Sequence, residues 1–157
     1  MSVALFGKLQ SKRDFVAPGA SRAFLDLWEP WMQAGLATSR LTLGTGWAER
    51  YLTAPIWRFW LGGRLCGASL CGAFMPSLDA LGRHHPLVAF AAAPAGLAVA
   101  APDIDAQEGW HRAVEDFLLA TLDPEMSWDE TLAAARARPD PAFVAADAGA
   151  GALRLDA

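Results

Sequence analysis

Ser77, Asp79, His84 and His85 bring a hydroxyl, a carboxylate and two imidazoles into one short stretch, Met75 to Leu87, which reads M-P-S-L-D-A-L-G-R-H-H-P-L. These are the residue types of a nucleophile, base and orienting acid, so a small hydrolase using Ser77 and a histidine is one reading of them. The local pattern argues against it. There is no G-x-S-x-G elbow to expose the serine, and groups this close along a chain seldom reach triad geometry. A plainer reading gives Ser77 and Asp79 to backbone N–H groups of their own turn and pairs Arg83 with Asp79. A third makes the turn a binding surface, because the planar guanidinium of Arg83 suits a carboxylate or phosphate on a partner. No residue is assigned a catalytic role, and the other alternative is a structural assembly subunit that packs through exposed tryptophans.

Other chemistry-bearing groups are sparser. His111 and Glu115 stand one helical turn apart, but no third metal ligand is evident and a solvated helix face explains them. Cys66 and Cys71 lack the second pair that a zinc site needs and read as reduced, buried thiols. Gly44-Thr45-Gly46 and Gly62-Gly63 match neither a P-loop nor a dinucleotide fingerprint. The expectation is therefore no metal and no cofactor. Arg58, set among Ile56, Trp57, Phe59 and Trp60, needs either an ionic partner or an exposed edge.

The elements that would position these groups follow from pattern. Pro76 ends the apolar run Leu70 to Met75, and Pro86 opens another that reaches Ala93, which gives two strands with the polar turn between them. Val3 to Phe6 reads as a buried strand ended by Gly7, with a polar loop from Lys8 to Gly19. Ile56 to Leu61 is a fourth strand with Trp57, Phe59 and Leu61 on one face and Arg58 on the other. Gly62-Gly63 signals a tight hairpin to the following strand.

Ser21 caps a helix whose Phe24, Leu27, Trp28 and Trp31 form a core face, with a kink or break expected at Glu29-Pro30 before the chain continues to about Leu43. A short helical piece spans Trp47 to Thr53. Asp105 with Glu108, and Ser127 with Glu130, have the spacing of capping boxes ahead of two further helices, the second ending at Arg136 to Arg138. Together these elements predict an α/β fold, a mixed sheet with helices on both faces in a three-layer sandwich, as one domain over residues 1–138. The tail, 139–157, is left with Leu153 and Leu155 alternating like an edge strand. If the strands Val3 to Phe6 and Leu70 to Met75 run parallel, the loops that follow them meet, and Lys8, Asp14, Ser77, Asp79, Arg83 and Arg58 form one polar patch.

Composition sets outer bounds. With 157 residues, 54% hydrophobic and 19% charged, the chain can build one substantial core. A net charge of -4, with no basic run beyond Lys12-Arg13, argues against nucleic acid. The first residues lack a secretory signal pattern, and the apolar tract Leu87 to Ala101 is interrupted by Pro94 and Gly96 and is too short to span a membrane. A cytoplasmic protein is expected; oligomeric state is not legible.

The segments F-G-K-L-Q-S-K-R-D-F-V (Phe6 to Val16), P-I-W-R-F (Pro55 to Phe59) and the Met75 to Leu87 stretch, in this order, resemble the TagF family of proteins associated with bacterial type VI secretion. F-L-D-L-W-E-P-W-M-Q (Phe24 to Gln33) fits the same pattern. The resemblance implies a cytoplasmic α/β sandwich without enzyme activity. It further implies post-translational repression of the injection machine through the system's forkhead-associated scaffold protein. The matched positions include Gly7, Lys8, Asp14, Phe15, Trp57, Arg58, Ser77, Asp79, Gly82 and Arg83. Of these, Lys8, Asp14, Phe15, Arg58, Ser77, Asp79 and Arg83 form the candidate interaction site. Gln10 departs from the family's usual proline, and Lys12-Arg13 stand where a glycine is usual.

Overall fold

Strands β1 (Ala4–Phe6), β2 (Trp57–Leu61), β3 (Leu70–Met75) and β4 (Leu87–Ala92) form one sheet in the spatial order β1-β4-β3-β2. They belong to a computed structural model that describes residues 3–146. The α/β class holds, but every strand pair is antiparallel, so the sheet is not mixed. The reason lies in the connections. Parallel neighbours need a crossover of a dozen or more residues, whereas residues 62–69 and 76–86 only turn the chain back.

Helix α1 (Arg22–Leu43) covers one face of this sheet; α2 (Trp47–Leu52) and a single turn, α3 (Gly63–Cys66), follow it in the chain. Helices α4 (Glu108–Ala120) and α5 (Trp128–Ala137) cover the other face, which completes the three layers. A small sheet of β5 (Leu97–Val99) and β6 (Phe143–Ala145) closes one flank. Phe24, Trp28 and Met32 of α1 pack on Phe6, Val88, Phe90 and Leu70, with Phe24 stacked on Phe90 at 3.9 Å. Val114, Phe117 and Leu118 of α4 pack on the opposite face against Leu5, Ala73 and Ala89. Fully buried side chains of this kind contribute about 1.5–3 kcal/mol each. Gly72 lets the strands close up. A Cβ there would lie 2.6 Å from the Ala89 carbonyl and 2.6 Å from the Phe59 ring.

Several local expectations are revised. Helix α1 runs unbroken through Pro30, because Pro30 and Asp26, whose carbonyl loses a donor, both lie on the exposed side, where water replaces the bond. Its buried stripe is Phe24, Trp28 and Met32, and Trp31 is 58% exposed. Gly62-Gly63 is not the whole turn, since α3 intervenes before β3. Asp105 does not form a capping box: its carboxylate accepts from Gln107 N, while Glu108 is drawn to Arg58. Ser127 and Glu130 do form one. His111 is buried, not on a solvated face. Strand β2 carries Phe59 and Leu61 to one core and Trp60 to the other, as its alternation requires. Cys71 is a buried thiol that desolvation pushes up to about 12, and Cys66 is half-buried. In the tail, the strand is β6; Leu153 and Leu155 lie outside the described residues.

Candidate functional site

β1 and β3 flank β4, and both are antiparallel to it, so they run in the same direction and their C-terminal ends share one rim of the sheet. The loop after Phe6 and the loop after Met75 therefore leave side by side. Gly7 makes the close approach possible. Its φ is +132°, and a Cβ there would sit 2.0 Å from the Pro86 carbonyl. Gly7 also exchanges backbone bonds with Val16, which folds the first loop back along β1.

Asp79 is the hub of the rim. Its Oδ1 accepts from Leu81 N at 3.0 Å and Arg83 N at 2.9 Å, the self-contained turn that its residue type favours. Its Oδ2 accepts from Arg83 Nε at 2.7 Å and from Lys8 Nζ at 2.6 Å, which crosses to the other loop. The Asp79 side chain is fully buried and that of Lys8 is 8% exposed. Burial alone would raise the Asp79 pKa. The bonds from Lys8, the Arg83 backbone and side chain, and Leu81 overcome it and hold the carboxyl well below the usual range.

Three further bonds sew the loops together. Ser77 Oγ donates to Lys8 O at 2.7 Å, Ala80 N donates to Lys12 O at 2.8 Å, and Arg83 Nη2 donates to Arg13 O. The Ser77 hydroxyl is thus engaged with backbone, and Ser77 itself is 5% exposed. The neighbouring imidazoles turn elsewhere. His85 Nδ1 lies 2.9 Å from Pro86 O, with its ring edge-on to Phe6 and Phe15. His84 packs edge-on to Trp47 and Tyr51. Burial lowers the pKa of both histidines, and for His84 the charge of Arg40 adds to it.

Tyr51 braces the second loop from α2. Its hydroxyl donates to Ser77 O at 3.1 Å and accepts from Ser77 N at 3.0 Å, and burial pushes the phenol up to about 12. Nothing in the sequence points to this residue, because its partner lies 26 positions ahead with no periodic relation to it.

Of the expected site residues, Lys8, Ser77, Asp79 and Arg83 are brought into direct contact. Phe15 borders them, stacked on Phe6 at 5.5 Å with Lys8 Nζ 5.2 Å from its ring centre, and it remains 45% exposed. Asp14 is exposed on the same loop. Arg58 is not part of this group. Its guanidinium bonds Glu115 and, at 2.6 Å, Glu108, tying edge strand β2 to α4. Those bonds raise the Arg58 pKa and lower that of Glu115. No group of three metal-binding side chains occurs among the described residues. Nor, among those residues, is any helix long and apolar enough to cross a membrane.

A search of curated proteins gives no match. Among solved structures, the crystal structure of PA0076 from Pseudomonas aeruginosa PAO1 is similar, with a TM-score of 0.82 and 36% sequence identity over 90% of this chain. The chain spans 64% of that protein's length. The family model described as TagF N-terminal domain, type VI secretion system-associated, matches residues 4–137, a span that contains both loops of the rim, and on this match the chain belongs to that family.

Proposed function

We propose that this protein is a non-enzymatic regulator of a bacterial type VI secretion system. In this reading it acts in the cytoplasm as a post-translational repressor and docks on the system's forkhead-associated scaffold protein through the rim of Lys8, Asp14, Phe15, Ser77, Asp79 and Arg83. The observation that carries the reading is the joining of two polar loops into one hydrogen-bonded, partly exposed surface, with Lys8 and Asp79 bonded across it at 2.6 Å. The hydrolase alternative loses support because Ser77 Oγ is spent on Lys8 O and both imidazoles face aromatic rings.

The test is co-purification of the full chain with the scaffold protein, alongside a secretion assay in cells. Phe15 and the Arg83 side chain are 45% and 54% exposed, so the double variant Phe15→Ala/Arg83→Ala keeps both sheet cores, and a thermal melt run alongside measures what the lost Arg83 bonds to Asp79 and Arg13 O cost the fold. The variant is expected to lose the scaffold and to release repression. A folded double variant that binds and represses like the parent would remove the rim from the reading, and a parent chain that never captures the scaffold would remove the partner.

A further inference from the structure

Beside the rim, residues 12–18 and Trp128 at the start of α5 enclose an open groove of about 370 Å³. Its walls combine two kinds of chemistry. Phe15 and the half-buried Trp128 offer aromatic surface, and Lys12 Nζ stands 4.9 Å from the Trp128 ring centre. Lys12 and Arg13 line the groove with Asp14, and Arg83, itself paired with Asp79, lies behind Arg13. Neither Lys12 nor Arg13 is in a salt bridge among the described residues, and the Lys8 charge is already cancelled by Asp79. Cations thus outnumber carboxylates here, on a chain whose net charge is -4.

Resting on the docking function proposed above, we infer that this groove takes an acidic, extended segment of the protein partner. Carboxylates of that segment meet Arg13 and Lys12, and an apolar side chain lies between Phe15 and Trp128. Charge complementarity selects the occupant. The local positive field steers a short acidic segment into a groove that the rest of the acidic surface repels. A polyanion such as duplex DNA presents charge over a far longer track than these few cations can neutralise, and it meets that repulsion along its whole length.

The experiment measures binding of the forkhead-associated scaffold protein to the full chain by calorimetry at about 0.05 M and about 0.3 M salt, conditions that differ in screening length. The parent is compared with Lys12→Glu/Arg13→Glu and with a control of equal charge change, Arg64→Glu/Arg112→Glu, whose side chains are exposed elsewhere. The expected result is parent affinity that falls as salt rises, a loss of about tenfold or more in Lys12→Glu/Arg13→Glu at low salt, and a control within about twofold of the parent. If thermal melting shows the reversed pair misfolded, Arg13→Gln alone, at an exposed side chain, is expected to weaken binding and flatten its salt dependence. Parent-like or control-like binding by the folded pair overturns the inference while leaving the docking function intact. Failure of the parent itself to bind overturns the docking function and this inference with it. Parent binding to vesicles containing phosphatidylglycerol that depends on the same two residues overturns the assignment to a protein segment.

Discussion

Replacing Tyr51 by Phe removes one oxygen from a packed aromatic group and leaves the rest in place. The ring keeps its stacking on Trp47 at 4.9 Å and its edge contact with His84 at 5.2 Å, so the change isolates two hydrogen bonds, both to the backbone of Ser77. In the variant, Ser77 N and O lose this partner inside a residue only 5% exposed. An unsatisfied buried donor costs about 1–3 kcal/mol, and because Tyr51 is only half-buried we place the loss at about 1–2 kcal/mol. For a domain of this size that corresponds to a fall of about 3–6 °C in Tm, with a lower urea midpoint and an unchanged m-value. A variant within about 0.3 kcal/mol of the parent would refute the account of Tyr51 as the brace of the second loop.

The same residue allows a direct reading, because it is the chain's sole tyrosine and its phenolate absorbance is uncontaminated by others. The folded chain should ionise there at about 12 rather than at the ordinary 10.0. The sign follows from the raised value. Tyr51's contribution is intact below pH 10.0 and is lost as pH rises toward about 12, since only the unfolded chain then ionises readily. A phenolate signal with its midpoint near 10.0 in chain that is still folded would show the hydroxyl to be solvated.

Two further outcomes follow from the rim. Gly7→Ala should destabilise by about 3 kcal/mol or more, because it combines a positive φ with a Cβ driven to 2.0 Å from the Pro86 carbonyl, and denaturant titration of the purified variant measures it. Asp79, held ionised below its ordinary 3.8, contributes stability that is present above that pH and lost as pH falls through and below it. The stability gap between the parent and Asp79→Asn should therefore narrow steadily on acidification below pH 3.8; a gap independent of pH would mean that the carboxylate's charge plays no part.

The strands were legible because short apolar runs here are bounded by Gly7, Pro76 and Pro86, the first two closing a run and the last opening one, residues whose backbone chemistry fixes where a strand stops or starts. Arg58 was legible in kind: an arginine among aromatic neighbours needs an ionic partner or an exposed edge, and on edge strand β2 it has both, though which carboxylates of α4 answer it depends on helix placement that no local pattern encodes. A break at Pro30 fails because the proline's local cost says nothing of the buried stripe of Phe24, Trp28 and Met32 that holds the helix together on either side. Asp105 misled for a related reason, since capping spacing is shared by any acidic pair and Glu108 had a stronger partner in Arg58. Tyr51 was hidden altogether. A single hydroxyl reaching a distant backbone leaves no periodicity, and only the packing of α2 against the second loop reveals it.

The meeting of the two loops came from topology, and by a route other than parallel pairing. Two strands on either side of a common antiparallel neighbour necessarily point the same way, so β4 puts the ends of β1 and β3 at one rim without their touching. The Lys8–Asp79 bond then joins residues 71 positions apart. A buried ion pair of this kind adds little net stability compared with apolar side chains of the same size, because both charges surrender their water. Its effect is geometric. One carboxylate fixes its own turn through two backbone N–H groups, holds Arg83 outward beside Arg13, and reaches the opposite loop through Lys8, so the exposed edge of Phe15 and the cations around it stand in a set arrangement before any partner arrives. A surface already ordered in this way loses little conformational freedom on docking, which favours its use for recognition over a pair of independent turns.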